Sequence, residues 1–209
     1  EWTKVTHKVA TGTKMVYAYH TRAGVFCGTS DHNIISEGQR VGAKEAERID
    51  LAIGPLPRII SLNPQDIMDG LVMGDGTVHK ASNNLVCLLV GVKDGEWLSS
   101  EVSALFREHR PGVYEQAWEI ETTIEASELP RTYERRVPER FRFNSPTKCR
   151  GFLRGLYSAN GSICGRRITL KASSIDVILN VQEMLSSLGI RSYYTVNRVH
   201  DVEFNNGTY

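Results

Sequence analysis

The hydrophobic pattern of the chain changes near residue 57. Before that point, runs such as Met15–Tyr19 and Gly24–Cys27 are rich in β-branched and aromatic residues and are separated by a polar stretch that suits a turn. These runs predict short β-strands. The proline-containing stretch Gly54–Pro57 then predicts a linker. We therefore expect a β-rich segment at 1–57 and a second domain at 58–209.

An internal repeat organises the second domain. Residues 63–78 and 145–163 each begin with an N-cap residue followed by proline, continue as a helix of about three turns, and end in a glycine able to adopt a left-handed conformation. Strands are predicted after both helices. The run 85–92 is nearly all apolar and suits a buried strand, whereas 167–172 alternates and suits a strand with one polar face.

An amphipathic helix is predicted next in each copy. Its apolar positions are Trp97, Val102, Leu105 and Phe106 in the first copy, and Ile178, Val181, Leu185 and Leu188, ahead of a stop at Gly189, in the second. The unit of helix, strands and helix thus occurs twice, at about 61–130 and 143–209. We expect an α+β fold with pseudo-twofold symmetry.

Small residues recur on one face of the two repeat helices. They are four residues apart in each copy, at Gly70 and Gly74 and at Gly155 and Ala159, and this spacing lets two helix backbones approach closely. If these helices pack together, their C-terminal ends bring Asp75 and Asn160 together. Two oxygen ligands at a shared helix interface predict a Mg²⁺ site, because this hard cation prefers oxygen donors.

Charge is distributed unevenly along the chain. Residues 131–171 contain eleven Lys and Arg against two Asp and Glu, a local balance of +9, while the whole chain carries a formal charge of only +1. Such a segment is typical of a protein that binds the phosphate backbone of a nucleic acid. A solvated charged loop would have the same excess of basic residues. The candidate DNA-binding residues are Arg136, Arg140, Arg142, Lys148, Arg166 and Arg167.

Other functional classes are disfavoured by composition. There is no apolar run long enough to span a membrane, so no membrane partner is expected. The four cysteines, at positions 27, 87, 149 and 164, form no C-x-x-C pair and predict reduced thiols rather than a zinc ribbon or a disulfide framework. We expect a cytoplasmic or nucleoid-associated protein.

The two repeat helices resemble a known pair of motifs. Residues 68–76 and 153–161 are similar to the two LAGLIDADG motifs of monomeric homing endonucleases, and the resemblance covers roughly residues 61–200. It implies two αββαββ halves, a monomer, sheets that lie in the major groove of double-stranded DNA, and hydrolysis of a long DNA site. It also implies that Asp75 and Asn160 hold Mg²⁺, but the residue expected at position 160 is Asp.

Two further basic residues are assigned to the catalytic site by the same resemblance. Lys171 follows the second motif on a strand where the family places a polar group near the metals. Arg135 precedes Arg136-Val137-Pro138, which resembles the Lys-x-Ile-Pro block of the family. Since arginine does not release its proton, we assign Arg135 to electrostatic stabilisation or to a phosphate contact. Simple phosphate contacts by both residues are equally compatible.

The N-terminal segment resembles part of an intein. Residues 27–46, with Thr29 and His32 in a T-x-x-H pattern, are similar to the second splicing block, where His would donate a proton to the leaving nitrogen. The opening residues 1–5 are similar to inteins of ribonucleotide reductases. A partial all-β Hint segment is therefore expected. Because the chain lacks the terminal splicing residues, the expected partners include missing intein segments and host exteins.

Three functions remain open at this point. The first is a site-specific DNA endonuclease carried within an intein. The second is a catalytically impaired DNA-binding relic, with Asn160 as the lesion. The third is a protein-splicing element whose endonuclease has decayed. Cleavage that requires a divalent metal separates the first from the second, and ligation of host segments tests the third.

A basic interface has a measurable consequence. If residues 131–171 neutralise several phosphates, the affinity for duplex DNA should fall about 10³-fold or more between roughly 50 and 200 mM salt. An affinity that stays nearly constant over this range would contradict the assignment of this segment to the interface.

Overall fold

The structure of the chain is a computed structural model. It describes residues 5–10, 12–22, 24–50, 61–79, 84–91, 102–110, 115–196, 203–204 and 207–208. The predicted linker at 54–57, the opening residues 1–4 and Trp97 lie outside the described residues. No helix within the described ranges is long and apolar enough to cross a membrane.

The described N-terminal residues contain two β-hairpins. The first is made of the two predicted strands, but its first strand begins at Tyr17 rather than Met15 and includes His20 and Thr21, which were predicted to lie in the turn. β1 (Tyr17–Thr21) pairs with β2 (Gly24–Gly28), and β3 (Asn33–Ser36) pairs with β4 (Gln39–Gly42), both antiparallel. Tyr19 and Phe26 stack at 4.8 Å between ring centroids, which adds an aromatic cross-strand pair to the first hairpin.

The first half of the repeat is a helix on a four-stranded sheet. Helix α1 (Pro64–Asp75) leads directly into β5 (Gly76–His79), followed by β6 (Leu85–Gly91), β7 (Phe106–Arg110) and β8 (Glu115–Ile120). The strand order is β5-β6-β8-β7, and all neighbours are antiparallel. The predicted helix at Leu105 and Phe106 is wrong: Leu105 ends a short 3-10 turn and Phe106 begins β7, where its ring packs edge-on against Trp118.

The second half also begins with a helix that leads into a hairpin, and a further helix follows. After the short helix α2 (Glu139–Arg142) come helix α3 (Pro146–Asn160), β9 (Gly161–Cys164), β10 (Arg167–Leu170) and helix α4 (Ile175–Ser187). Two short strands, β11 (Glu203–Phe204) and β12 (Gly207–Thr208), pair near the C-terminus. Gly189, with φ of 72°, follows α4 as predicted.

The ends of α1 and α3 depart from the sequence prediction. Gly76 and Gly161 are extended, with φ of −66° and −89°, rather than left-handed, because each helix passes straight into a strand. Their lack of a side chain serves a different purpose, since a Cβ on either would collide with the carbonyl oxygen of Val72 or Tyr157. Helix α3 has 15 residues against 12 for α1, and so exceeds the predicted three turns.

The two repeat helices cross at their glycines. A Cβ on Gly70 would collide with the carbonyl oxygen of Phe152 and lie 2.8 Å from the nitrogen of Leu156. A Cβ on Gly155 would collide with the carbonyl oxygen of Ile67 and lie 2.7 Å from the nitrogen of Leu71. These contacts are reciprocal, because each residue has its counterpart 85 positions later (155 − 70 and 152 − 67). The crossing therefore has the predicted pseudo-twofold symmetry.

Among the described residues, one hydrophobic core surrounds this crossing. Helix α1 is buried from Asp66 to Met73, and the rings of Phe141 and Phe152 stack at 4.4 Å beneath α2. Residues from both halves line the core, including Met68, Val72, Leu88, Leu156, Val181 and Met184. The two halves thus share their apolar interior and hold α1 and α3 together.

One buried carboxylate anchors the segment that joins the halves, residues 121–138, here called the inter-half linker. Asp69 is 1% exposed and accepts hydrogen bonds from the hydroxyls of Thr122 and Thr123 at 2.7 and 2.6 Å and from the Thr123 backbone at 2.8 Å. The Gln65 side chain also donates to it. A buried charge is tolerated here because its acceptor capacity is used.

The helix crossing makes a prediction about stability. Ala is normally favoured over Gly in a helix by about 1 kcal/mol, but Gly155→Ala should instead destabilise the protein by roughly 2 kcal/mol or more, because its Cβ meets rigid backbone. Urea unfolding measures the difference. Ser158→Ala on the exposed side of α3 is the control, and it should change stability by less than about 0.5 kcal/mol. A Gly155→Ala variant as stable as this control would contradict the close crossing.

Candidate functional site

The C-terminal ends of α1 and α3 line one cavity. Its volume is about 380 Å³, and Asp75 and Asn160 both contribute to its wall. They meet because the crossing at Gly70 and Gly155 places equivalent helix ends side by side. Gly74 and Ala159 continue this contact one turn later, where a Cβ on Gly74 would lie 2.5 Å from that of Ala159.

The Asn160 side chain lies on the backbone of α1. Its amide nitrogen would be 3.1 Å from a Cβ placed on Gly74, the residue before Asp75. Its main-chain oxygen accepts a hydrogen bond of 3.2 Å from the backbone nitrogen of Lys171. Asn160 is therefore held next to Asp75 and at the same time joined to the residue that follows β10.

Asp75 stands where a negative charge is unfavourable. Its side chain is exposed at the cavity, but the protein packed around the carboxyl raises its pKa by desolvation, and the Arg135 guanidinium opposes this rise. The carboxyl also lies at a helix C-terminus, the negative end of the helix dipole. The position is thus suited to a carboxylate that acquires a cationic partner.

Arg135 is bound to the main chain around Asp75. Its Nη1 donates to the carbonyl oxygens of Met73 and Gly74, both at 3.1 Å, and its Nη2 donates to that of Gly76 at 2.8 Å. Its Nε also donates to the Pro130 carbonyl at 3.4 Å. Burial lowers the pKa of this guanidinium and nearby Asp75 raises it. Arg135 lines the cavity, but three of its four hydrogen bonds go to the main chain at the end of α1.

Lys171 and two hydroxyl residues complete the polar wall. Lys171 lines the cavity, and Thr132 and Ser173 line it as well; the catalytic role assigned to Lys171 stays a prediction. Sequence reasoning did not find Thr132 or Ser173, because neither belongs to a motif. The only signal was their closeness along the chain to Arg135 and Lys171.

The six predicted DNA-binding residues fall into two groups. Arg166 and Arg167 are exposed at the turn and first residue of β10. The others already interact with the protein. Arg136 pairs with Asp176 at 3.2 Å, Arg142 pairs with Glu183 at 2.7 Å, Arg140 pairs with Glu128, and Lys148 lies over the Phe141 ring and near Asp66.

The β9–β10 hairpin presents apolar as well as basic groups. Ile163 and Ile168 are cross-strand partners and are 81% and 73% exposed, so the expected apolar face of this strand is not buried at Ile168. On the other face the Ser162 and Thr169 hydroxyls are hydrogen-bonded at 2.7 Å. The hairpin therefore offers both polar and apolar side chains to a ligand.

The predicted splicing residues lie in the turn between β2 and β3. The His32 backbone nitrogen donates to the Thr29 carbonyl at 3.0 Å, and the His32 carbonyl accepts from Ala43 at 2.7 Å. The structure thus places Thr29 and His32 together in one tight turn, well apart in sequence from the α1–α3 site.

Comparison with known proteins supports one part of the resemblance. Residues 147–209 match the model of a family described as LAGLIDADG-like domain. This match contains the second motif, at 153–161, but covers less than half of the chain. No curated protein matches the chain.

Several solved structures are similar to the chain at low identity. A structure of I-DmoI in complex with DNA and Ca is 17% identical, with 70% of this chain and 80% of that chain covered and a TM-score of 0.42. A structure of I-DmoI with DNA and Mn has the same identity and TM-score, with 70% and 86% covered. A structure of mesophilic variants of this homing endonuclease is also 17% identical, with 61% and 78% covered and a TM-score of 0.42.

The position of Asp75 predicts a pH-dependent effect on stability. A carboxyl whose pKa is raised on folding contributes stability below its unfolded-state pKa, and this contribution is lost as the pH rises through the folded-state value. Asp75→Asn should therefore be more stable than the parent protein at pH 7, and the difference should shrink as the pH falls through the folded-state pKa and disappear below the unfolded-state value of about 4. Urea unfolding across this range tests it, and an Asn variant less stable at pH 7 would contradict it.

Proposed function

We propose that the protein binds double-stranded DNA and hydrolyses phosphodiester bonds at the cavity between α1 and α3, as a site-specific endonuclease of the LAGLIDADG homing type. The observation that carries the proposal is that Asp75 and Asn160, from equivalent ends of a pseudo-twofold repeat, line one cavity together with Lys171, the residue after β10. The match of residues 147–209 to LAGLIDADG-like domains supports it.

The oxygen groups of the cavity fit a Mg²⁺ ion. Asp75 supplies one carboxylate in a setting that raises its pKa, and Asn160 supplies an amide oxygen. Among the described residues, no three His, Cys, Asp or Glu side chains are grouped to hold a metal ion, so a site closed entirely by the protein is not formed there. Mg²⁺ suits such a site because it keeps several waters and uses one or two carboxylates together with substrate phosphates.

The division of labour among the residues follows from their chemistry. Asp75 and Asn160 would hold the ion, which supplies a Lewis acid and lowers the pKa of a bound water. The ammonium of Lys171 donates to a phosphate oxygen and offsets the negative charge that grows during hydrolysis. In the reaction the water oxygen forms a bond to phosphorus, the bond to one sugar oxygen breaks, and the protons pass to solvent and to that leaving oxygen.

Asn160 makes the two halves of the site unequal. A neutral amide oxygen binds a cation less strongly than a carboxylate, because it compensates none of its charge. We therefore propose slow or strand-biased cleavage. The impaired DNA-binding relic is the limiting case of the same argument, with cleavage lost and binding retained.

The basic residues would bind the DNA and position it at the cavity. Arg166 and Arg167 on the exposed hairpin contact phosphates or base edges directly. Arg136, Arg140, Arg142 and Lys148 can exchange their present partners for phosphate oxygens, because surface ion pairs are individually weak, at about 0–1 kcal/mol.

The N-terminal segment supports a second proposal, that the endonuclease is embedded in an intein. The support is a segment of two hairpins in which Thr29 and His32 share one turn. To test it, the chain is fused to flanking splicing segments and placed between two halves of a reporter protein, and ligation of the two halves is measured. The His32→Ala variant should ligate at least about 100-fold more slowly, and a reporter that is never ligated would contradict the proposal.

The metal ligand Asp75 provides the main test of cleavage. A plasmid library with randomised inserts is incubated with Mg²⁺, and the ends produced are sequenced. The parent protein should produce ends at one shared sequence, and Asp75→Asn should reduce the rate by about 10²-fold or more. Asp50→Asn, in the N-terminal segment, is the matched control and should cleave normally. An Asp75→Asn variant that cleaves at the parent rate would contradict the assignment of this cavity.

The asymmetry of the site is tested by Asn160→Asp. This change restores a second carboxylate and should increase cleavage at least about tenfold, with more double-strand breaks relative to nicks. Asn144→Asp, at the other end of α3, introduces the same charge away from the cavity and should leave the ratio of nicks to breaks unchanged. No gain from Asn160→Asp would count against a metal ligand at this position.

A further inference from the structure

The sequence assigned Arg135 to electrostatic or phosphate contact, but its hydrogen bonds suggest another role. Its guanidinium donates to the carbonyl oxygens of Met73 and Gly74, just before Asp75, and of Gly76, just after it. We infer that Arg135 is a positioning residue that clamps the end of α1 and thereby holds Asp75 in the metal-binding orientation. This inference rests on the proposed function.

The end of α1 needs such a clamp. The last carbonyls of a helix lack partners within the helix, and the last turn of α1 contains no basic residue of its own. The guanidinium is suited to the task because it is planar and rigid and presents several donors at once. If each hydrogen bond uses one N–H, the four carbonyl bonds leave one of the five N–H groups for a further acceptor.

The backbone of Arg135 is held by the second half of the repeat. Its carbonyl oxygen accepts a hydrogen bond of 2.5 Å from the hydroxyl of Ser174, the N-cap of α4. Two residues later the Val137 nitrogen donates to the side chain of Asn180 at 3.1 Å. Ser174 comes three residues after Lys171. Arg135 therefore links the helix that carries Asp75 to the segment that carries Lys171 and sets their relative position.

A phosphate contact and a clamp make different demands on this side chain. A phosphate contact needs the guanidinium to face the DNA, and its loss weakens binding at every sequence and lowers the salt dependence. A clamp acts within the free protein, and its loss loosens the end of α1 whether or not DNA is present. The present hydrogen bonds, all to main-chain carbonyls, favour the clamp.

The test compares Arg135→Gln and Arg135→Lys with Arg136→Gln, a control at the adjacent exposed arginine. Amide hydrogen exchange of the whole protein without DNA should be about tenfold faster or more at residues 73–77 in Arg135→Gln, with the first turn of α1 unchanged. The exchange rates of Arg135→Lys should lie between those of Arg135→Gln and the parent protein, because an ammonium cannot reach all these carbonyls at once. Arg136→Gln should exchange like the parent protein.

Two further measurements separate the alternatives. Binding to random-sequence duplex DNA should have the same salt dependence in Arg135→Gln and in the parent protein. In the plasmid-library assay, the Mg²⁺ concentration for half-maximal cleavage should be several-fold higher for Arg135→Gln than for the parent. Unchanged exchange at 73–77 together with a salt slope reduced by about one would overturn the clamp in favour of a phosphate contact. If Arg135→Gln does not fold, amide exchange at residues 73–77 is measured in Arg135→Lys instead. An exchange rate there equal to that of the parent protein would also overturn the clamp.

These readouts also separate the clamp from the proposed function. A parent protein that binds no duplex DNA and cuts none would refute the proposed endonuclease. The exchange experiment needs neither DNA nor metal, so it would still show whether Arg135 holds the end of α1.

Discussion

The close crossing of α1 and α3 is the constraint on which the rest of the structure depends. At Gly70 and Gly155 the backbone of each helix occupies the space that a Cβ on the other would need. Only at this distance can the two C-terminal ends, one turn further on, share a cavity. The same contact unites the apolar residues of both halves in one core, so the geometry of the site and the stability of the fold have the same origin.

The crossing has an electrostatic consequence. Two helix C-termini meet at the cavity, and their dipoles make it a poor place for a carboxylate. Asp75 is there nonetheless, and Arg135 and Lys171 face the same cavity. With Asn160 in place of a second acid, less negative charge needs compensation when the cavity is empty. In the proposed metal site, the corresponding cost would be a weaker attraction for a divalent cation. The asymmetry of that site would therefore exchange metal affinity for stability of the free protein.

The inter-half linker fixes this arrangement from outside the helices. It is tied to the middle of α1 by Asp69, to the end of α1 by Arg135 and to α4 by the Ser174 hydroxyl and the Asn180 side chain. Arg136 within the linker and Arg140 and Arg142 after it are held in ion pairs, and Arg136–Asp176 is the most exposed of these three. Such surface pairs are individually weak, so in the proposed DNA complex phosphate oxygens would replace the acidic partners without disturbing the core.

The local and repeated features of the protein were determined by its sequence alone. N-cap residues followed by proline set the starts of α1 and α3, alternation and β-branched residues set the strands, and small residues at a spacing of four marked the face where the helices meet. These signals act over a few residues, and the repeat made them recognisable. Only the tertiary structure decided features that depend on distant groups. Phe106 joined a strand because Trp118 packs against its ring, and Gly76 and Gly161 became extended because strands follow immediately. Arg135 turned to the end of α1, 60 residues earlier in the chain (135 − 75), because unpartnered carbonyls lay within its reach, and no local pattern encodes that contact.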